Sequence, residues 1–201
     1  MAKVLIATLY SPDPVLLAAN RLGPERLILL IDKKPDKKQE QNYKLIEESL
    51  GRVVDVKLAK TEVYDIVQVA EKCVEIIDMQ PKNDTIYVNI TSGRKTKALG
   101  LLFAAYARNH KVKKIAYNPE EDKNAVVWLP KLSFKLTESQ KKVLEALAEN
   151  DYSKISLTKL ADKVGISRAM LYRNIDELRD IGYISTEEGL VLTDAGKIAR
   201  L

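Results

Sequence analysis

One segment near the middle of the chain constrains the fold more than any other. Residues 86–90 form an apolar run typical of a buried β-strand, and a small polar turn follows at residues 91–93. Apolar residues then recur at helical spacing from Arg94 to about Asn109. The turn exposes backbone N–H groups at the positive end of the helix dipole, where anions bind and phosphate is the commonest. The segment therefore predicts a strand–turn–helix unit that binds an anion.

The same alternation of strands and helices runs through the first two thirds of the chain. It predicts a mixed α/β fold, namely a Rossmann-like doubly wound parallel sheet with helices on both faces. No helical pattern separates the last two strands, so these predict a terminal β-hairpin. The predicted strands are residues 3–8, 26–31, 53–58, 85–90, 113–118 and 125–129, and the predicted helices are 14–22, 35–50, 62–79 and 94–109.

The pattern changes near Pro130. From Thr137 onward it predicts three helices, a two-stranded hairpin and a last short helix. A tight turn, Gly165-Ile166-Ser167, joins the second helix to the third. This layout is that of a winged helix-turn-helix. We therefore predict two domains, residues 1–131 and residues 132–201.

Charge and composition exclude several classes of protein. One cysteine, Cys73, and one histidine, His110, allow no intrachain disulfide and no cysteine or histidine metal cluster. No apolar run approaches the roughly 18 residues of a membrane span, and the N-terminus has the pattern of a first strand. We expect a soluble, cytoplasmic protein without a metal, a cofactor or a membrane partner. The net charge of +5 belongs to residues 1–131, with 22 basic and 17 acidic residues, whereas residues 132–201 hold 11 of each.

A doubly wound sheet binds ligands at the carboxyl ends of its strands, close to the point where the strand order reverses. In a Rossmann-type order the first and fourth strands are neighbours, so the loops that follow them form one pocket floor. Two familiar phosphate motifs do not occur there. The first strand is not followed by G-x-G-x-x-G, and Gly93-Arg94-Lys95-Thr96 departs from the Walker A pattern. An ordinary NAD site and ATP hydrolysis are not supported.

Two stretches together with the winged helix resemble a known family. Residues 8–17, TLYSPDPVLL, and residues 89–99, NITSGRKTKAL, resemble the site loops of CRISPR-associated transcription regulators, which join a CARF domain (CRISPR-associated Rossmann fold) to a winged helix-turn-helix. The resemblance spans the whole chain in order and spacing. It departs at Tyr10-Ser11, where many relatives have glycine followed by an aromatic residue. The resemblance implies a homodimer that binds a cyclic oligoadenylate, often cyclic tetra-adenylate, across its twofold axis.

The residues at the strand ends suit such a ligand. A ring of phosphates needs basic groups and backbone donors, and a fourfold ring fits a twofold site by symmetry. Arg94, Lys95 and Lys97 are either ligand contacts or a solvated first helical turn, which is unfavourable without a nearby anion. Tyr10 is a possible stacking surface for a base, or packs at the sheet edge. The predicted ligand-binding residues are Thr8, Leu9, Tyr10, Ser11, Asn89, Thr91, Ser92, Gly93, Arg94, Lys95 and Asn118.

Residues 157–173 resemble the helix-turn-helix of MarR- and ArsR-type regulators, with a recognition helix over residues 168–181. Arginine on such a helix binds guanine or phosphate. An alternative is a dimerisation or docking module, because this domain has no net charge and its wing tip is Glu187-Glu188. The predicted DNA-binding residues form two sets. Those expected to face the phosphate backbone of DNA are Ser156, Thr158 and Lys159, and those expected to face the DNA groove are Ser167, Arg168, Tyr172 and Arg173.

The resemblance therefore implies a CRISPR-associated regulator that senses a cyclic oligoadenylate and changes its binding to double-stranded DNA at CRISPR-locus promoters. We expect no catalytic residues. One alternative is a ring nuclease that cleaves its bound cyclic oligoadenylate, with Ser11, Arg94 and Lys95 around the phosphate. Another is a regulator that senses a different nucleotide.

Overall fold

The protein is represented by a computed structural model that describes residues 1–122, 125–130, 132, 136–149, 157–187 and 189–201. The chain divides into two compact units, Met1–Ser133 and Phe134–Leu201. The predicted domain boundary, 131/132, lies two residues earlier. Within the described part of the chain, every helix is too short or too polar to span a membrane.

The first unit is a six-stranded sheet in the order β3-β2-β1-β4-β5-β6. The first five strands run parallel, and β6 pairs antiparallel with β5, which confirms the Rossmann-like sheet and its terminal hairpin. β1 lies between β2 and β4, so the strand order reverses beside it, as predicted. The elements are β1 (Lys3–Thr8), α1 (Asp13–Leu22), β2 (Arg26–Asp32), α2 (Lys37–Leu50), β3 (Asp55–Thr61), α3 (Ile66–Asp78), β4 (Thr85–Asn89), α4 (Lys95–Ala107), β5 (Val112–Tyr117) and β6 (Val127–Leu129).

The central strand is covered on both faces. One face of the sheet packs against α1 and α2 through a cluster that includes Leu5, Leu29 and Ile46. On the neighbouring helices α3 and α4, Gly100 permits a close approach, because a Cβ there would lie 2.5 Å from Cγ1 of Val69. Burial of this apolar surface drives folding of the unit and fixes the carboxyl ends of its strands at one edge.

Two predicted bounds in the middle of the unit are wrong by several residues. The third strand is β3, Asp55–Thr61, rather than residues 53–58, and the third helix begins at Ile66 rather than near residue 62. The helix starts there because the Asp65 carboxylate accepts a hydrogen bond from the Gln68 backbone N–H at 3.0 Å. Residues 62–65 therefore form a loop at the carboxyl edge of the sheet.

The second unit has the predicted helix-turn-helix order. Its first helix begins with a capping box, in which the Gln140 N–H donates to the Thr137 hydroxyl at 3.2 Å and the Thr137 N–H donates to the Gln140 side chain at 2.9 Å. Leu144, Leu160 and Leu171 are buried in one core. The elements are α5 (Glu138–Glu149), α6 (Leu157–Val164), α7 (Arg168–Asp180), the antiparallel pair β7 (Ile184–Ser185) and β8 (Val191–Leu192), and α8 (Asp194–Ala199).

Candidate functional site

The loops after β1 and β4 are joined through one buried serine. The Ser92 hydroxyl accepts hydrogen bonds from the backbone N–H groups of Tyr10, at 2.9 Å, and Ser11, at 2.7 Å. It also donates to the Ser11 carbonyl at 3.1 Å, while the Thr8 hydroxyl donates to the Ser92 carbonyl. The two loops therefore form one rigid floor, and the side chains of Thr8 and Ser92 are used to build it.

The turn into α4 requires a glycine. Gly93 has a φ of +92°, in the left-handed region. A Cβ at Gly93 would also lie 3.2 Å from the Cβ of Thr8, tighter than an ordinary contact. The backbone of this turn thus passes directly over the end of β1.

A second polar network links the ends of β4 and β5. Asn89 donates to the Asn118 side-chain oxygen at 2.9 Å and accepts from the Thr91 N–H at 3.0 Å. The Thr91 hydroxyl accepts from the Asn118 N–H at 2.8 Å, and the Asn118 amide donates to the Ala125 carbonyl at 3.0 Å. Asn89 and Asn118 are buried. These residues therefore fix the loop positions, and Thr91 is the most accessible of the three.

The N-terminus of α4 is open to an anion. Its N-cap residue is Arg94, which makes no side-chain capping bond, and its first turn has no acidic residue. Among the described residues none accepts a hydrogen bond from the backbone N–H groups of Gly93, Arg94 or Lys95. The Lys95 side chain is exposed at the same place. The helix dipole and the unpaired N–H groups both favour a negative group here.

Two basic side chains of α4 converge on Asp32, the last residue of β2. Lys97 is fully buried and its ammonium donates to Asp32 Oδ1, while Arg94 Nε lies 3.1 Å from Oδ2. Burial alone would raise the pKa of Asp32, but the hydrogen bonds and charges of Lys97 and Arg94 hold it below its usual value. Burial lowers the pKa of Lys97, and the Asp32 carboxylate partly offsets that effect. Lys97 is therefore a buried partner of Asp32, not part of a solvated turn.

Gln39 of α2 connects β2 to the end of β1. Its amide donates to the Leu9 carbonyl at 2.8 Å, and its side-chain oxygen accepts from the Asp32 N–H at 3.0 Å. Leu9 donates its own N–H to the Leu30 carbonyl at 3.0 Å, and its side chain lies in the core. Leu9 thus supports the site from below and presents no surface to a ligand, which corrects the prediction for this residue.

A cavity of about 660 Å³ opens beside α1 at this edge of the sheet. The ring of Tyr10 lies on its wall and has the Lys38 ammonium 4.8 Å from its centroid. The guanidinium of Arg94 points instead towards β2, and Lys95 lies outside the cavity wall. The cavity is lined by Tyr10, Ser11, Asp13, Pro14, Leu16, Leu17, Asn20, Thr91, Ser92, Gly93, Asn118, Pro119 and Glu120.

Sequence reasoning missed two groups of residues around this site. Asp32 and Gln39 hold the loops in place, and Leu16, Leu17 and Asn20 of α1 form one wall of the cavity. Asp32 ends the strand next to β1, so the predicted strand order was enough to place it at this edge. No motif marks the α1 residues, because their contribution depends on how the helix packs on the sheet.

The predicted DNA-facing residues lie mainly on the exposed face of α7. Ser167 caps this helix by accepting from the Met170 N–H at 3.2 Å. Arg168, Tyr172 and Arg173 are exposed, and Arg173 Nε lies 2.8 Å from Glu177 Oε1. On α6, Thr158 is half-buried and Lys159 is exposed. Ser156 and Glu188 lie outside the described residues.

The fold defines a class of protein, a Rossmann-like α/β domain followed by a helix-turn-helix, which agrees with the family resemblance seen in the sequence. Residues 4–122 match the family described as HFX_2341_N-like, N-terminal, and the chain belongs to that family. Residues 130–188 match the helix-turn-helix of insertion element transposases. A comparison with curated protein sequences gives no match.

Two solved structures share the fold. Can2 from Sulfobacillus thermosulfidooxidans, determined in complex with cyclic tetra-adenylate, superposes with a TM-score of 0.53 at 17% identity. Protein VC1899 from Vibrio cholerae superposes with a TM-score of 0.52 at 11% identity. Each superposition covers 98% of this chain but 63% of the other, so the chain spans less than two thirds of the length of either protein.

Proposed function

We propose that this protein is a CRISPR-associated transcription regulator, in which the first unit binds a cyclic oligoadenylate and the helix-turn-helix unit binds DNA. The observation that carries the proposal is the open N-terminus of α4 beside a preformed cavity, in the same chain as an exposed recognition helix. Can2, which shares the fold, was determined with cyclic tetra-adenylate bound.

Phosphate recognition is the first step. The unpaired N–H groups of Gly93, Arg94 and Lys95 give directional donors, and the Lys95 ammonium adds a mobile charge. The floor that carries these groups is already fixed by Ser92 and Thr8. Little ordering is therefore needed on binding, which favours affinity.

A homodimer follows from the size of the ligand. A cavity of about 660 Å³ suits a ligand the size of a typical small molecule, and a ring of several nucleotides exceeds it. Two copies of the site around a twofold axis supply two phosphate-binding helix ends and two cavities to one ring. We therefore propose one ring per dimer, with cyclic tetra-adenylate as the best match by symmetry.

DNA binding rests on α7 and the residues that flank it. Arg168 is exposed near the N-terminus of the helix, where recognition helices contact base edges. Residues 132–201 carry no net charge, so affinity for DNA of any sequence should be weak. A dimer that places two recognition helices on one duplex compensates for this. The targets we propose are promoters of a CRISPR locus.

The two functions are coupled only as far as the ligand prefers one arrangement of the dimer over another. Ligand and DNA then change each other's affinity by the same factor, and both the sign and the size of that factor can be measured. DNA titrations with and without saturating cyclic oligoadenylate therefore show whether the ligand strengthens or weakens DNA binding.

Calorimetric titration with cyclic tri-, tetra- and hexa-adenylate tests the ligand. We expect one ring bound per dimer and about tenfold weaker binding by Lys95→Ala, the effect of losing one charge-assisted contact. Lys82→Ala is the matched control, because Lys82 is also exposed but precedes β4 at the opposite edge of the sheet. If no ring produces heat, the proposal is wrong.

The same samples test the alternative of a ring nuclease. Chromatography of the ligand after long incubation separates intact rings from linear products. A regulator returns the ring unchanged, whereas progressive loss of the ring at catalytic protein concentration would assign an enzymatic activity to the site.

A further inference from the structure

The loop between β3 and α3 presents an exposed aromatic ring close to the N-terminus of α4. Tyr64 is 79% exposed and still makes defined contacts. The neighbouring Val63 carbonyl accepts a hydrogen bond from the Thr96 hydroxyl at 2.5 Å, and Thr96 lies in the first turn of α4. Tyr64 is therefore tied to the helix end that we propose for phosphate.

A chain of contacts that begins in the core fixes the position of the ring. The Arg94 guanidinium lies 5.7 Å from the centroid of the Tyr64 ring, and Arg94 Nη1 donates to the Tyr64 hydroxyl at 3.3 Å. Arg94 is held in turn by Asp32, and Asp32 by the buried Lys97. The contacts with Arg94 thus fix the position of the Tyr64 ring and still leave most of it exposed.

We propose that Tyr64 is a stacking platform for a nucleobase of the ligand. The proposal rests on the proposed function, since it requires a nucleotide ligand at the α4 N-terminus. Base stacking on aromatic side chains is a common and strong contact in proteins that bind single-stranded nucleic acid, and an adjacent arginine strengthens it. The same arrangement places Arg94 near the base rather than in the cavity.

Tyr10 repeats the arrangement after another strand at the same edge of the sheet. Its ring is also partly exposed, follows a strand at the same edge and has a lysine ammonium 4.8 Å from its centroid. Tyr10 follows β1 and Tyr64 follows β3, so the two rings approach the α4 N-terminus from different strands. A cyclic oligonucleotide carries bases on the outside of its phosphate ring, so separate platforms suit separate bases.

An alternative role for Tyr64 is to position Arg94 through its hydroxyl, without contact to a base. The two roles predict different results for phenylalanine. Tyr64→Phe removes the hydrogen bond to Arg94 and keeps the ring, whereas Tyr64→Ala removes both. A stacking platform survives the first change and is lost in the second.

The experiment is calorimetric titration of the full chain with cyclic tetra-adenylate. We expect Tyr64→Ala to bind roughly 5- to 100-fold more weakly than the unmodified protein, the range for losing one stacked base, and Tyr64→Phe to stay within about threefold. Met79→Ala serves as control, because Met79 is 73% exposed at the other end of α3. It should bind like the unmodified protein.

Each remaining outcome has a defined meaning. If the unmodified protein binds the ring and Tyr64→Ala binds it equally well, stacking on Tyr64 is refuted while the proposed function stands. If Tyr64→Phe loses as much affinity as Tyr64→Ala, the hydroxyl and not the ring is responsible, and stacking is again refuted. If no cyclic oligoadenylate binds the unmodified protein, the proposed function and this inference fail together.

A spectroscopic readout reports ring contact directly. The chain has one tryptophan, Trp128, so a variant with Trp128→Phe and Tyr64→Trp carries a single tryptophan at the proposed platform. Stacking of adenine should quench its emission as the ring saturates the protein. Unchanged emission at saturation, with binding confirmed by calorimetry, would overturn the proposal.

Discussion

The two units of this protein arrange their polar groups in opposite ways. At the carboxyl edge of the sheet, side chains such as Asn89, Ser92 and Lys97 are buried and joined to several strands at once. On the recognition helix α7 the charged side chains are exposed and bond mainly within the helix, as in the Arg173–Glu177 and Arg179–Asp176 pairs. The first arrangement fixes its polar groups through contacts with several strands, whereas the second leaves its charged groups in contact with solvent.

The difference has an energetic consequence. Removing the partner of a buried polar group lowers the free energy of unfolding several times more than removing an exposed ion pair does. An exposed ion pair contributes little because water solvates both charges. Substitutions at the sheet edge should therefore change stability and ligand binding together. Substitutions on α7 should change DNA binding and leave stability almost unaffected.

The largest expected effect is that of Lys97→Met. The change keeps a long unbranched side chain but leaves the Asp32 carboxylate with Arg94 alone at a buried position. Breaking a buried ion pair in this way costs about 3–5 kcal/mol. Urea unfolding followed by the fluorescence of Trp128, which lies in β6 of the same unit, measures the loss.

Lys95→Met provides the matched control. Lys95 stands in the same helical turn but is exposed, so its replacement should change stability by less than about 0.5 kcal/mol. Equal losses of stability for the two variants would mean that the buried Lys97–Asp32 ion pair stabilises the protein no more than an exposed lysine does. The stated contrast between buried and exposed polar groups would then be wrong.

A smaller but still clear effect is expected for Gly93→Ala. The residue needs a φ of +92° and has Thr8 3.2 Å from the position of a new Cβ, so strain of about 1–3 kcal/mol should appear. Binding of cyclic tetra-adenylate should weaken too, because the turn carries the N–H groups that we propose for phosphate. Both quantities are measurable on the same protein, by urea unfolding and by calorimetry.

Gly23→Ala is the control that introduces backbone strain without the close contact that a Cβ at Gly93 would make with Thr8. Gly23 also has a positive φ, +55°, but a Cβ there meets nothing within 4 Å, and the residue ends α1 far from the turn. It should lose about 1 kcal/mol of stability and no ligand affinity. If Gly93→Ala binds the ring normally, the turn is not the phosphate site.

Much of this architecture follows from sequence periodicity. A strand buried on both faces gives a continuous apolar run, and a helix buried on one face gives apolar residues at helical spacing. These two patterns predicted the strands, the neighbouring positions of β1 and β4, and the helix-turn-helix. The same reasoning placed Ser92 and Gly93 at the sheet edge, because the carboxyl ends of parallel strands meet there.

The errors arise where tertiary contacts override local pattern. Lys97 has the sequence context of an exposed helical turn, and only the approach of Asp32 from another strand explains its burial. Leu9 follows a predicted strand directly, yet its side chain continues into the core and its carbonyl is taken by Gln39. Tyr64 was assigned to a helix because its apolar neighbours fit helical spacing, whereas Asp65 starts the helix after it.

The smallest expected effect compares two arginines on α7. Arg168→Ala should weaken binding to promoter DNA about tenfold, since Arg168 lies at the start of the exposed recognition helix. Arg173→Ala should weaken it less, because Arg173 must first give up its 2.8 Å ion pair with Glu177 to reach DNA. Fluorescence anisotropy at several salt concentrations measures both, and each lost phosphate contact lowers the salt slope by about one.

The salt dependence also distinguishes DNA binding from docking. If Arg168 contacts DNA, its variant loses affinity while the urea midpoint of the protein stays constant, as expected for an exposed side chain on α7. If neither arginine variant changes the anisotropy and the slope with salt is flat, the neutral helix-turn-helix unit does not bind that DNA, and the alternative of a docking or dimerisation module becomes the better account of its exposed face.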